Sequence, residues 1–393
     1  MTAMGRESAG RRVLVVEDRA HRPLGHFPNR FAELATGFVE NGCSVETLTA
    51  HGWVHDGERP VPFVVNRYGW FNGLLCRAGE SFANTRGLRR VAIVLRALGM
   101  VRAVRTRCRR AGNPMPDVVV VSMGLDPVVG SALATRGRWL FYAFDGPSAV
   151  RREFTKRAAR HESLRRAAGG GARIATPDAD ACSRWQEIAP FLDPVTLSIT
   201  GVRPRERTPR AKRRLGLDDH DKVALVFGTA HDDKDIDLVA RVFGELTDWQ
   251  LVVAGDAGDA YRPRASGREA IVIGGYVDAS MRDVVYSAAD LVVLSFTPSF
   301  RRNSGVLVDA ISLGVPVVCS DGSVAADVVR EYRLGVVFEP GNPDSLDRAV
   351  RIAPATIDPA DLQRARDELS NRAVAARFLD ALEYSPPVEG GRS

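Results

Sequence analysis

The stretch 295–318, S-F-T-P-S-F-R-R-N-S-G-V-L-V-D-A-I-S-L-G-V-P-V-V, holds the residues whose types and order can do chemistry. Its pattern predicts a strand over Leu291–Ser295, a polar loop with an Asn303-Ser304-Gly305 turn, and an apolar helix that Gly314 and Pro316 end before a further strand. The first turn of such a helix lacks internal acceptors for its N–H groups and carries about half a positive charge from the aligned peptide dipoles. Phosphate fits that end. The helix bears one carboxylate, Asp309, among Leu307, Val308, Ala310 and Ile311. Burying it unpaired is costly, so a polar partner is expected. Lys234 in D-D-K-D reads, as part of a charge run, as an ordinary solvated lysine. Gly228, Gly305 and Gly314 either open space for a ligand or serve turns and tight packing alone.

Two α/β domains of doubly wound, Rossmann-like type are predicted to carry these residues. The pattern predicts a strand at Arg12–Val16, a helix over about 27–41 and a strand at Val45–Leu48; it recurs as Val223–Phe227, about 234–246 and Leu251–Ala254. Each half continues with short apolar runs: Val118–Val121, Trp139–Ala143 and Arg173–Ala175, then Ile271–Gly274, Leu291–Ser295, Val315–Cys319 and Val336–Glu339. Continuous apolar runs alternating with helical segments indicate parallel strands covered on both faces. The polar, proline-containing stretch 201–214 separates the halves. The expected division is 1–202, 203–358, C-terminal helices over 359–384 and a disordered tail over 385–393. Ligands of such sheets sit at the carboxyl ends of the strands, here between two facing domains.

A chain of 393 residues, 45% hydrophobic and 26% charged, reads as soluble and globular. No apolar run reaches the roughly 18 residues of a membrane span, and the N-terminus lacks the apolar core of a signal peptide. A cytoplasmic protein is expected. Five scattered cysteines without C-x-x-C give neither a disulfide frame nor a zinc site. Nine arginines and no acid lie between Arg86 and Arg110, interleaved with apolar residues, which reads as a basic amphipathic helix or helix pair. Such a face either rests peripherally on the anionic inner face of the cell membrane or is a solvated arginine-rich surface. Nucleic acid is disfavoured, because aromatic residues are not interleaved with the cations.

From about Lys222 to Val350, with a looser match in the first half, the chain resembles GT-B glycosyltransferases of the retaining, metal-independent group called glycosyl transferases group 1, or family 4. The resemblance rests on V-F-G-T-A-H-D-D-K, L-V-V-A-G-D-A-G, I-G-G-Y-V, Y-S-A-A-D-L-V-V-L-S, S-G-V-L-V-D-A-I-S-L-G-V-P-V-V and L-G-V-V-F-E-P-G-N-P-D-S-L in this order. It implies an E-x7-E pair, whose first Glu meets the donor sugar and whose second meets the ribose. Asp309 falls on the second position and Arg301 on the first, where a cation cannot accept hydrogen bonds from sugar hydroxyls. It also implies a diphosphate-neutralising Arg and Lys: Lys234 matches the lysine, and Thr229 stands in the arginine's place. Arg301 or Arg302 would restore that cation. Where the family has His-Asp, this chain has Phe144 and Asp145, and the loop after the first strand keeps Gly25, with His21 or His26 toward the acceptor.

The resemblance therefore implies transfer of a sugar from a UDP- or GDP-type donor to a glycan, lipid-linked or natural-product acceptor, as in cell-envelope or polysaccharide synthesis. Its catalytic residues would be Lys234, Arg301 and Asp145. Gly25, Gly228, Thr229, Lys234, Tyr276, Asn303, Ser304, Gly305 and Asp309 would bind the nucleotide sugar. The nucleotide sugar is a co-substrate, and neither cofactor nor metal is implied. A pseudo-enzyme that binds without turnover is one alternative. A UDP-sugar 2-epimerase-like isomerase is another, sharing Ser304 and Gly305 but not the polar run that its signature places at 307–309. No G-x-G-x-x-G follows either first strand, which disfavours a nicotinamide dehydrogenase.

Overall fold

The computed structural model describes residues 10–17, 27–49, 62, 64–67, 72–75, 89–111, 116–121, 138–143, 172–198, 201–229, 232–262, 268–298, 300, 304–353 and 355–383. The chain forms two compact units, residues 1–201 with 371–393, and residues 202–370.

The first unit is built on seven parallel strands in the order β3-β2-β1-β4-β5-β6-β7. These are β1 (Arg12–Glu17), β2 (Ser44–Thr49), β3 (Val64–Arg67), β4 (Asp117–Val121), β5 (Trp139–Tyr142), β6 (Ala172–Thr176) and β7 (Val195–Thr196). Because β1, β4 and β5 are covered on both faces, their apolar runs are unbroken rather than alternating. One face is covered by α1 (Phe27–Glu40), the other by α2 (Arg89–Ala111) and α3 (Ala179–Ile188). The arginine-rich stretch is thus one helix, whose inner face buries Ala97, Met100, Val101, Val104 and Cys108. Its outer face exposes Val91, Val94, Arg102, Arg105 and Arg109. Among the described helices none is long and apolar enough to cross a membrane.

The second unit has six parallel strands in the order β10-β9-β8-β11-β12-β13. They are β8 (Lys222–Phe227), β9 (Trp249–Ala254), β10 (Ile271–Ile273), β11 (Leu291–Leu294), β12 (Val317–Ser320) and β13 (Gly335–Phe338). Helix α4 (Ala211–Arg214) precedes the sheet, and α5 (Ile236–Phe243), α6 (Asp256–Ala260), α7 (Ala279–Ala288), α8 (Gly305–Leu313), α9 (Val324–Glu331) and α10 (Pro343–Ile352) alternate with the strands. Residues of α5 and α10 pack on one face, while those of α7, α8, α9 and α11 (Pro359–Glu368) pack on the other.

The C-terminal helices expected over 359–384 divide between the two units after residue 370. Helix α11 stays with the second unit, and α12 (Asn371–Glu383) belongs to the first. Phe378 on α12 stacks on Tyr142 at 5.9 Å and meets Phe38 edge-on at 6.4 Å. Gly37 permits this approach, since a Cβ there would fall 2.1 Å from the carbonyl oxygen of Asn371. The expected tail, 385–393, lies outside the described residues.

Candidate functional site

In the second sheet β8 is flanked by β9 on one side and β11 on the other, so the connections diverge between β8 and β11. That divergence opens a crevice at the carboxyl ends of the strands. The loop after β8 carries Gly228, Thr229 and Lys234, and the loop after β11 leads to Ser304 and α8. The two loops are tied together: Lys234 bridges to Phe296, the Asp235 N–H donates to the Ser295 carbonyl at 2.9 Å, and the Thr297 N–H donates to the Asp233 carbonyl at 2.9 Å. Stacked rings of Phe296 and Phe300, 3.7 Å apart, seat the second loop on the core.

Lys234 is half-buried, and its Nζ donates to the Phe227 carbonyl at 2.7 Å. The ammonium has three donors, so two remain for a ligand's oxygens. Burial pulls its pKa from 10.5 down to about 8, against the opposing pull of the Asp233 carboxylate. Gly228 lies beside it. Its φ of +104° suits glycine, and a Cβ there would lie 3.4 Å from Nζ of Lys234 and 3.7 Å from Cγ2 of Val306. The lysine head therefore lies between the end of β8 and the first turn of α8. The helix predicted from about residue 234 begins at Ile236, because the Asp235 side chain accepts from the Leu238 N–H at 3.0 Å and caps it there.

Helix α8 opens with Ser304, whose Oγ accepts from the Leu307 N–H at 3.3 Å and whose carbonyl accepts from the Val308 N–H at 3.4 Å. The N–H groups of Gly305 and Val306 have no acceptor inside the helix. Ser304 thus accepts in the cap through its Oγ, which leaves its O–H as a donor. At the far end Gly314, at φ +65°, closes the helix through its N–H to Ala310 and Ile311.

Asp309 has the polar partner that its apolar surroundings demand. Arg205, from the segment before α4, donates through Nη2 to its Oδ1 and through Nη1 to Oδ1 of Asp283 on α7 at 2.5 Å. The sequence held a signal for this pairing, a basic linker (R-P-R-E-R) beside a helix with one lone acid, but not which arginine would answer. Tyr286, fully buried against Phe227, lies within the field of Asp309, and burial first and that carboxylate second push its hydroxyl pKa well above 10.0.

Gly255, at φ +89°, accepts no side chain, since a Cβ would fall 2.8 Å from the Gly228 carbonyl oxygen. Beyond it the Gly275 N–H donates to the Asp259 carboxylate at 3.1 Å, which holds the loop bearing Tyr276, 58% exposed. Neither Gly255 nor Asp259 was singled out from the sequence as a site residue, because the first acts through backbone crowding between strand ends and the second through a carboxylate bond to a loop 16 residues on. The structure thus places Gly228, Thr229, Lys234, Tyr276, Ser304, Gly305 and Asp309 in the second unit, on loops and one helix after β8, β10 and β11. Gly25, Asp145, Arg301 and Asn303 lie outside the described residues, as do His21, His26, Phe144 and Arg302.

The sequence family described as glycosyl transferases group 1 matches residues 221–353, the part that holds these loops. An uncharacterised glycosyltransferase of Methanocaldococcus jannaschii is 27% identical over 144 residues, 34% of this chain and 36% of that protein. The lipopolysaccharide 1,6-galactosyltransferase of Salmonella typhimurium is 27% identical over 166 residues, 40% of this chain and 43% of that protein. The chain thus spans less than half the length of the curated relatives it matches. HepE of Anabaena, solved in complex with UDP, superposes with a TM-score of 0.62 at 13% identity, over 94% of this chain and 99% of that one. That likeness shows the fold to be of the GT-B class.

Proposed function

Since residues 221–353 belong to the glycosyl transferases group 1 family, we propose that the chain transfers a sugar from a UDP- or GDP-type nucleotide diphosphate sugar. The observation that carries this reading is the Lys234 ammonium set beside Gly228 and the open first turn of α8, at the crevice where the sheet's connections diverge. When the anomeric C–O bond breaks, negative charge grows on the β-phosphate. Preorganised donors aimed at that charge stabilise it by about 3 kcal/mol each in comparable sites. Here the donors are Lys234 and the N–H groups of Ser304, Gly305 and Val306, with Arg301 supplying a further cation from the loop. Asp309 accepts from the ribose hydroxyls, and Tyr276, Gly228, Thr229, Gly25 and Asn303 line the nucleotide sugar.

The outcome is retention without a metal: the leaving phosphate takes the acceptor's proton on the face it vacates, with Asp145 near the acceptor. The acceptor is a glycan, a lipid-linked saccharide or a small natural product of cell-envelope or polysaccharide synthesis. The Salmonella relative's action on lipopolysaccharide supports the first two. A cytoplasmic enzyme resting on the inner face of the membrane is consistent with the outer face of α2, where Val91 and Val94 lie exposed on the same helix as Arg102, Arg105 and Arg109. Binding without turnover is the second reading, favoured by Thr229 standing where the family has an arginine and Arg301 where it has a glutamate.

Thermal unfolding of the chain with a panel of nucleotide sugars tests the proposal. A ligand at a hundred times its dissociation constant stabilises by about 2.7 kcal/mol. No shift with any UDP or GDP sugar would sink it. A shift lost in both Lys234→Ala and Asp309→Ala locates the site, and product formation with a lipid-linked or glycan acceptor separates turnover from binding alone.

A further inference from the structure

We propose that Arg205 is a positioning residue for nucleotide binding: by taking one oxygen of Asp309 and sharing its fork with Asp283, it leaves the other Asp309 oxygen directed at the ribose hydroxyls. This rests on the reading of Asp309 as the ribose acceptor.

An arginine facing one carboxylate commonly spends both arms of its guanidinium on the two oxygens. Here the arms are divided. Nη2 goes to Oδ1 of Asp309, and Nη1 goes to Oδ1 of Asp283 at 2.5 Å. Asp283 therefore stops the guanidinium from covering both oxygens of Asp309. The Asp309 side chain keeps 14% of its surface exposed, and among the described residues its hydrogen-bond partner is Arg205, on Oδ1 alone. Oδ2 is left as the acceptor, with two lone pairs suited to vicinal hydroxyls.

The arginine is itself fixed. Its main-chain N–H donates to the Ser312 carbonyl at 2.9 Å, on the same helix that carries Asp309. Two residues on, the Arg207 guanidinium donates to the carbonyls of Leu313 at 3.2 Å, Gly314 at 3.1 Å and Ala289 at 3.3 Å, which ties the segment following Arg205 to the ends of α7 and α8. A short aspartate would otherwise be free to rotate about its side-chain bonds. Held through Oδ1, it meets the ribose without reorganising, the geometric service that a supporting hydrogen bond renders to a binding group.

The test is calorimetric titration of the full chain with UDP and GDP and with their 2′-deoxy counterparts. The wild type should prefer the ribose form of the nucleotide it binds by about tenfold or more, the scale of a hydrogen bond to a charged acceptor. Arg205→Gln should bring that ratio toward one while affinity for the 2′-deoxy form changes less than about threefold, because Lys234 and the first turn of α8 still hold the diphosphate. Arg205→Lys should restore part of the preference. Asp283→Ala, at a more exposed position, should lower the ratio too by letting the guanidinium cover both oxygens, and it carries the test if Arg205 variants fail to fold. A preference that survives unchanged in both Arg205→Gln and Asp283→Ala overturns the proposal, since a merely structural arginine would weaken both nucleotide forms alike. A wild type that binds both forms equally overturns it as well, leaving the nucleotide reading intact. A wild type that binds neither UDP nor GDP counts instead against the proposed function.

Discussion

The two ends of α8 are treated in opposite ways. At its C-terminal end the carbonyls are filled: Arg366 takes those of Ile311 and Ser312, the Arg205 N–H also takes Ser312, and Arg207 takes Leu313 and Gly314. At its N-terminal end Ser304 satisfies Leu307 and Val308, while the N–H groups of Gly305 and Val306 have no acceptor within the helix. Cations belong at the first of these ends and anions at the second, by the direction of the helix dipole. The difference teaches a division of labour: the closed end holds the helix in place so that the open end keeps its donors aimed without reorganising.

The sharpest break of that contrast is at Lys234. Lys234→Met should weaken nucleotide diphosphate binding by about ten- to a hundredfold, the scale of a charge-assisted hydrogen bond, as read by isothermal titration. Fold stability should hold, since a desolvated cation is being removed; a variant that is less stable yet binds with unchanged affinity would reverse the assignment.

Acidity sharpens the same end. Because burial holds the free Lys234 at about 8, below its ordinary 10.5, the lysine discharges as pH rises through 8. A bound diphosphate favours the charged form. Affinity should therefore be full below pH 7 and fall above 8 by up to about tenfold per unit until the pKa of the complex is passed. Titrations near pH 8 in buffers of different ionisation enthalpy should show proton uptake, and Lys234→Met should abolish it. For stability the sign is opposite: between about 8 and 10.5 the unfolded chain holds a proton that the folded chain lacks, so this group's contribution rises with pH over that window.

Smaller effects separate the capping roles. Ser304→Ala removes the N-cap acceptor and should cost about 1 kcal/mol in denaturant unfolding, with a modest loss of nucleotide affinity as the first turn frays. Arg207→Ala removes bonds to two carbonyls at the closed end and to a third, that of Ala289, just past α7. It should cost a similar amount, about 1 kcal/mol, while affinity stays within about twofold. Equal losses of affinity from both variants would erase the distinction between the ends.

Much of this was legible in the residues. The apolar runs at Val118–Val121 and Leu291–Leu294 announce parallel strands because burial on both faces leaves no polar alternation to read. Ser304 and Gly314 mark the bounds of α8 by capping chemistry that is local to the chain. Strands β3 and β7 passed unnoticed. The first is an edge strand with Val64 58% exposed, and the second is two residues long, so neither carries the signature of a buried strand. The start of α5 shifted to Ile236 because an aspartate, Asp235, was close enough to cap it.

What the sequence determined by itself is everything that acts over a few residues: alternating elements, the glycine turns, the capped helix and the demand of one acid for a partner. Tertiary structure decided which partner answered, Arg205 from 104 positions away, and which unit each C-terminal helix joined. The physical reason is range. Capping and periodicity are settled by neighbours along the chain, whereas the meeting of an arginine and an aspartate, or of Phe378 and Tyr142, depends on how packed elements bring distant segments together.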